Sequence, residues 1–231
     1  MIEVQNLSFA YGSRPILQNV SFSLEQGECV AVLGNNGAGK STLISCISRL
    51  RRPSSGSVLI DGTPVTQMTR GQQAQQISYV AQKNELAHTT VFDAVLLGRK
   101  PHMKWGPSDI DYDVAEHALR AVGMENCRLR YVNQLSGGEQ QKVMLARWMM
   151  MGGDVFLLEE PARGIDVNAK TEVYEAIGEC VKSGKGVVIV SSEEEEVLGI
   201  CDKILVMKQG RVTRVMDAKS ATTEEIKHYS V

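Results

Sequence analysis

Three short stretches of this 231-residue chain group residue types that can do chemistry together. Gly34-Asn35-Asn36-Gly37-Ala38-Gly39-Lys40-Ser41 fits G-x-x-x-x-G-K-[ST] in full. Glycines at these spacings let a loop wrap closely around phosphates with its backbone N–H groups inward. The helix that follows adds the positive end of its dipole. Lys40 would reach the β and γ phosphates of a nucleotide, Thr42 belongs to the same nucleotide site, and Ser41 would hold Mg2+. The second stretch, VFLLEEP, is an apolar run ending in Glu159 and Glu160. Beside a phosphate loop, Glu159 would sit near Mg2+ and Glu160 would polarise an attacking water. Without one, they are two solvent-facing acids at a strand end. The third stretch is Leu135-Ser136-Gly137-Gly138-Glu139-Gln140-Gln141-Lys142. Ser136 and Glu139 read as a capping box that starts a helix. Capping leaves Gly137 and Gly138 unexplained, since each costs a helix about 1 kcal/mol relative to alanine. They make sense where backbone must approach an anion.

These stretches need strands and helices to hold them. Residues 2–33 alternate like strands, with CVAVLG a short, wholly apolar run just before the glycine loop. A helical pattern follows from about Gly39 to Leu50, and SGSVLIDG and QISYVAQ read as further strands. From Val91 to Met151 the texture is helical, with Val114, Ala118, Leu119 and Val122 on one face. DVFLLEE, VVIVSS, KILVMKQ and GRVTRVM restore strand texture, with a helix carrying Val173, Ile177 and Val181 between the first two. Apolar runs such as CVAVLG, VFLLE and VVIVS suit parallel strands buried on both faces. The expected fold is α/β: a mostly parallel sheet core, an N-terminal antiparallel β part, and a helical subdomain at 91–151 inserted in one domain spanning 1–231.

Bulk properties narrow the class. Hydrophobic residues at 43% and charged residues at 23% describe an ordinary globular chain, and a net charge of −2 gives no reason to expect nucleic-acid binding. Five scattered cysteines without a C-x-x-C pair point to a reducing cytosol rather than a disulfide framework or zinc site. No apolar run reaches the ~18 residues of a membrane span, and MIEVQNLSFAYG lacks a signal peptide's layout. Any membrane role would come through a partner.

The Leu135–Lys142 stretch resembles the LSGGQ signature of ABC ATPases, and the likeness covers essentially the whole chain. It implies a P-loop ABC-type cassette that binds ATP and Mg2+. By the same resemblance Tyr11 stacks on adenine, Gln82 is the Q-loop glutamine near Mg2+ and the γ-phosphate, and Asp166 is the D-loop aspartate. Other roles stay open: a half-buried strand aromatic for Tyr11, a surface loop residue for Gln82, a helix N-cap for Asp166. The family arrangement has Ser136, Gly137, Gly138 and Glu139 of one subunit closing over ATP held by another, a homodimer being expected. Two permease subunits and an extracytoplasmic substrate-binding protein complete such an assembly, with this subunit at the cytoplasmic face of the membrane.

Two positions depart from the family pattern. The Walker-B acid is normally aspartate, and Glu159 is one methylene longer, enough to shift metal-site geometry by about 1 Å. Ser192 stands where a histidine usually contacts the γ-phosphate. It also reads as the N-cap of a second capping box with Glu195, with Glu193 to Glu196 as a solvated first turn. The expectation is a chain that binds Mg-ATP well and turns it over slowly. Residues to about 143, above all TVFDAVLLGRKPH at 90–102, look like ATPases of iron-siderophore, haem and cobalamin importers. From about 144 onward, EPARGIDV and SSEEEEVLGICDKILVM are similar to the second cassette of ribose-type sugar importers, which also tends to lack the switch histidine. The leading expectation is a metal-chelate importer, with a sugar importer as the alternative. A non-transport ABC ATPase acting on nucleic acid usually carries coiled-coil insertions, zinc modules or a second cassette, none of which is present. A cassette that dimerises on ATP without useful hydrolysis stays open because of Glu159 and Ser192.

Overall fold

The computed structural model describes residues 1–81 and 88–230. β1 (Ile2–Tyr11) and β2 (Arg14–Leu24) form an antiparallel ribbon. β4 (Ser55–Ile60) and β5 (Thr63–Pro64) extend it to a four-stranded sheet of order β2-β1-β4-β5. The second sheet is built on β3 (Cys29–Leu33), with β6 (Ile77–Val80), β7 (Val155–Glu159), β8 (Gly186–Val190), β9 (Lys203–Lys208) and β10 (Arg211–Asp217). Its order is β10-β9-β3-β8-β7-β6. Every pair from β9 to β6 is parallel, and only β10 runs antiparallel at the edge. β3 and β8 are buried at every residue, which is why their sequences are apolar without alternation.

The helices cover this sheet unequally. α1 (Lys40–Ile47) lies between the sheets, where Leu43 and Ile44 meet Leu7, Val30 and Val32 in one core. On the opposite face Ala31, Leu33 and Phe156 pack against Val173 and Ile177 of α6 (Val167–Lys182) and Leu145 and Trp148 of α5 (Gly137–Met151). Val173 and Ile177 are fully buried, each worth about 2 kcal/mol by area. α8 (Thr223–Ser230) closes this layer through Ile226. A third cluster holds α3 (Val91–Leu96) and α4 (Asp109–Ala121) against the other side of α5, through Val91, Val95, Leu119, Val143 and Met150. α5 is thus shared by the sheet and the helical segment. α2 (Arg70–Gln76) begins at the Thr69 capping box.

The buried face of α4 keeps Ala118 and Leu119 as expected but not Val114. Asp111, Ala115, Ala118 and Leu119 turn inward, while Val114 is exposed. The buried Asp111 carboxylate accepts from the Ser108 N–H and Oγ at 2.9 and 2.7 Å, closing the capping box of α4, and from Arg99 Nε at 2.9 Å.

Candidate active site

The glycine loop joins the C-terminal end of β3 to the start of α1. Gly34 packs so closely on β9 that a Cβ there would lie 2.1 Å from the Met207 carbonyl oxygen. Gly39 caps α1 at φ 102°, a backbone angle that side chains disfavour. Inside the loop the Ala38 N–H donates to the Asn35 carbonyl at 3.0 Å. From outside, the Gly210 N–H donates to Ala38 at 3.0 Å, and Asn35 Nδ2 donates to the Ser230 carbonyl at 3.1 Å. The loop is therefore anchored by both the β9–β10 turn and α8.

Lys40 is buried, and its ammonium donates to the carbonyls of Gly34 and, at 3.3 Å, Asn35. Burial pulls its pKa down, opposed by the charges of Glu160 and Glu159. Those acids end β7, next to β3's neighbour β8. Glu159 accepts a hydrogen bond from the Tyr79 hydroxyl at 2.9 Å. Glu160 stands at φ 49°, left-handed backbone that costs a non-glycine residue on the order of 1 kcal/mol. Its N–H donates to the Val190 carbonyl at 2.8 Å, so the neighbouring strand holds it there.

Ser192 lies against Glu160. Its N–H and Oγ both donate to Glu160 Oε2, at 3.2 and 3.1 Å. The expected Ser192–Glu195 capping box does not form: α7 (Glu194–Leu198) starts one residue later, with Glu193 at the N-cap and no side-chain cap. The Ser192 N–H that the box would use is instead bonded to the Glu160 carboxylate across the strands, as is Oγ. The acidic run is not simply a solvated turn either. Lys170 Nζ bridges Glu193, at 2.7 Å, and Glu196, and the Tyr174 hydroxyl donates to Glu196. Both donors belong to α6, so that helix gathers the acids from the other side.

A cleft of about 610 Å³ brings together Tyr11, Asn36, Gly37, Gly39, Lys40, Ser41, Thr42, Glu159 and Glu160. Gly34, Asn35 and Ala38 complete the loop behind its wall. Arg14, Ile16 and Arg163 line the cleft as well, though no motif pointed to them. Arg14 follows Tyr11 by three residues at the β1–β2 turn, and only the packing of the ribbon on the second sheet brings it to the loop. Tyr11 is 45% exposed, with the Arg51 guanidinium 4.7 Å from its ring centroid and Phe9 edge-on at 4.9 Å.

The remaining expected residues lie elsewhere. Ser136 caps α5 reciprocally with Glu139: Glu139 accepts from the Ser136 N–H at 2.8 Å, and Ser136 Oγ accepts from the Glu139 N–H at 3.3 Å. The Ser136 N–H bond, joined by one from Ser136 Oγ at 2.9 Å, holds the Glu139 carboxyl below its ordinary range. Ser136 and Gly137 are exposed and do not line the cleft. Asp166 caps α6 by accepting from the N–H groups of Asn168 and Ala169 at 3.0 and 3.1 Å. A Cβ on Gly138 would come 3.9 Å from Asp166 Oδ2, so these two turns adjoin. A smaller cavity of about 300 Å³ places Gly137, Gln141 and Gly164 on the far side of Glu159 and Glu160. Gln82 lies outside the described residues.

The Ser41 hydroxyl and the Glu159 and Glu160 carboxylates are hard oxygen donors opening on one cleft. They fit Mg2+, which takes one or two carboxylates together with phosphate oxygens. Among the described residues, no helix is long and apolar enough to cross a membrane.

Residues 17–163 match the family model described as ABC transporter. An uncharacterized ABC transporter ATP-binding protein of Methanocaldococcus jannaschii is 40% identical over 91% of this chain and 83% of its own length. A galactose/methyl galactoside import ATP-binding protein of Clostridium perfringens is 34% identical over 100% of this chain, which spans 46% of that relative. A solved structure of a transporter assigned to the metal-chelate type, in an inward-facing conformation, matches with a TM-score of 0.82 at 26% identity, over 99% of this chain and 88% of the other. With the phosphate loop and paired acids meeting in one cleft, these matches place the chain in the ABC transporter family, as an ATP-binding cassette of the ABC ATPase type.

Proposed function

We propose that the chain is the ATP-hydrolysing subunit of an ABC importer and works as a dimer beneath two permease subunits. The observation that carries this reading is the meeting of the loop, Lys40 and both acids in one cleft, with Ser192 against the second acid. The triphosphate lies in the loop from Gly34 to Thr42, countered by Lys40 and the N-terminus of α1, and Tyr11 offers its ring to adenine. Ser41, Glu159 and Gln82 would hold Mg2+, which would neutralise phosphate charge when bound. Glu160 orients and polarises the attacking water, and Ser192 fixes the carboxylate that does so. Ser136, Gly137, Gly138, Glu139 and Asp166 complete the cleft of a second copy. The exposure of Ser136, Gly137 and Asp166 outside their own cleft supports that arrangement.

Residues 91–151 and the Gln82 segment form the docking side for the permease, at the cytoplasmic face of the membrane, and an extracytoplasmic binding protein delivers the solute. The metal-chelate reading rests on residues 90–102 and is supported by the likeness to the metal-chelate type transporter. A sugar reading is favoured by the likeness to the galactose import protein.

One experiment tests the whole reading. The chain is purified from membranes with its permease and placed in proteoliposomes, and ATP hydrolysis is followed with binding protein carrying an iron chelate or a sugar. Chelate-stimulated turnover is expected, and stimulation by sugar alone would overturn the chelate reading. Glu160→Gln should lower turnover at least about 100-fold while ATP binding persists. Unchanged turnover would remove Glu160 from the mechanism.

A further inference from the structure

Glu159 differs from the acid that the family pattern has at this position by one methylene, and the structure shows where the added length leads. β6 and β7 run parallel, with Tyr79 paired to Leu157. Glu159 is two residues beyond Leu157 and so points to the same face of the sheet. The half-buried Tyr79 ring packs against the core between the two sheets and reaches along this diagonal until its hydroxyl meets Glu159 Oε2 at 2.9 Å. An aspartate would stop roughly 1.5 Å short, one C–C bond, and the 2.9 Å contact would open beyond hydrogen-bonding range. The contact is therefore specific to the glutamate. It takes one lone pair of one oxygen and leaves Oε1 for the cleft that Glu159 lines with Lys40 and Ser41.

We propose that Tyr79 is the positioning residue for Glu159: its hydroxyl fixes the extra torsion of the longer acid and holds the free carboxylate oxygen toward the metal-nucleotide. Tyr79 itself touches neither nucleotide nor metal. This inference rests on the ATP-binding reading above and adds to it the partner that lets a glutamate serve in place of an aspartate.

The test is the Mg2+ dependence of binding of a fluorescent ATP analogue to the purified chain, compared for the native sequence, Tyr79→Phe, Glu159→Asp and the double variant. Tyr79→Phe removes one oxygen and leaves the ring packing in place. It should raise the Mg2+ concentration for half-maximal binding about three- to tenfold, as expected for a lost hydrogen bond to a charged group. Binding without Mg2+ and the thermal midpoint should stay as in the native chain. In the Glu159→Asp background the same substitution should change nothing further. An unaltered Mg2+ dependence, an equal loss in both backgrounds, or a parallel loss of Mg2+-free binding would each overturn the inference while leaving the ATP-binding reading intact. A native chain showing no Mg2+-dependent binding would overturn both.

Discussion

At Ser192 the side chain is small, and its partner explains its place. The serine delivers two donors to one carboxylate oxygen of Glu160, one from the backbone and one from Oγ. Any residue at this position supplies the backbone N–H, so only the second bond depends on side-chain identity. Ser192→Ala should therefore lower turnover by about tenfold, matching roughly 1.5 kcal/mol for one bond to a charged acceptor, with ATP affinity kept. Ser192→His restores the residue common at this position in the family and should raise turnover above the native value. Steady-state hydrolysis by the assembled complex checks both, and a fast native rate that histidine fails to raise would show that the missing histidine does not limit turnover. The pair of acids and the loop are legible in sequence because glycine spacing and charge lie within a few residues of one another. The contact of Ser192 with Glu160 is not, because 32 residues separate the two. The local capping pattern of Ser192 and Glu195 pointed elsewhere.

Between elements, the network on α6 ties the helix that follows Asp166 to the turn that carries Ser192. Lys170 sits one turn into α6 and bridges Glu193 and Glu196, while Tyr174, one turn further, also donates to Glu196. Removing the ammonium leaves the two acids facing each other. Lys170→Met keeps the aliphatic stem and should cost about 1 kcal/mol, the upper range for an exposed pair, since Lys170 retains 20% side-chain exposure. For a chain of this length that lowers Tm by roughly 2–4 °C. Turnover should fall alongside as the Ser192 turn loosens. Calorimetry with hydrolysis assays checks this, and an unchanged Tm and rate would show that the bridge holds nothing. The helix starts were unequally legible. Ser136 and Glu139 cap α5 as their spacing predicts, each bonding the other's backbone N–H. On α4 the apolar pattern held at Ala118 and Leu119 but not at Val114, which is exposed while Asp111, bonded to Ser108 and Arg99, is buried.

For the whole molecule, the separation of the α5 start from the phosphate cleft makes a prediction about assembly. If Gly137 serves the cleft of another copy, a Lys40→Ala chain and a Gly137→Asp chain should each be inactive alone and active when mixed. Mixed dimers would hold one intact composite site, giving roughly a quarter of native turnover if pairing is random in a two-fold dimer. An inactive mixture would mean that loop and signature act within one chain. The glycine loop, the parallel core strands, the α5 cap and the family likeness were legible in the sequence alone, because each depends on residue spacing along a continuous backbone. The tertiary structure decided what the distinctive residues do. Tyr79 meets Glu159 across 80 residues, Ser192 meets Glu160 across 32 and Lys170 meets Glu193 across 23. The first two contacts depend on β6, β7 and β8 lying side by side, and the third on α6 packing beside the turn after β8. That order is set by how apolar runs pair and bury, and local spacing carries no record of it.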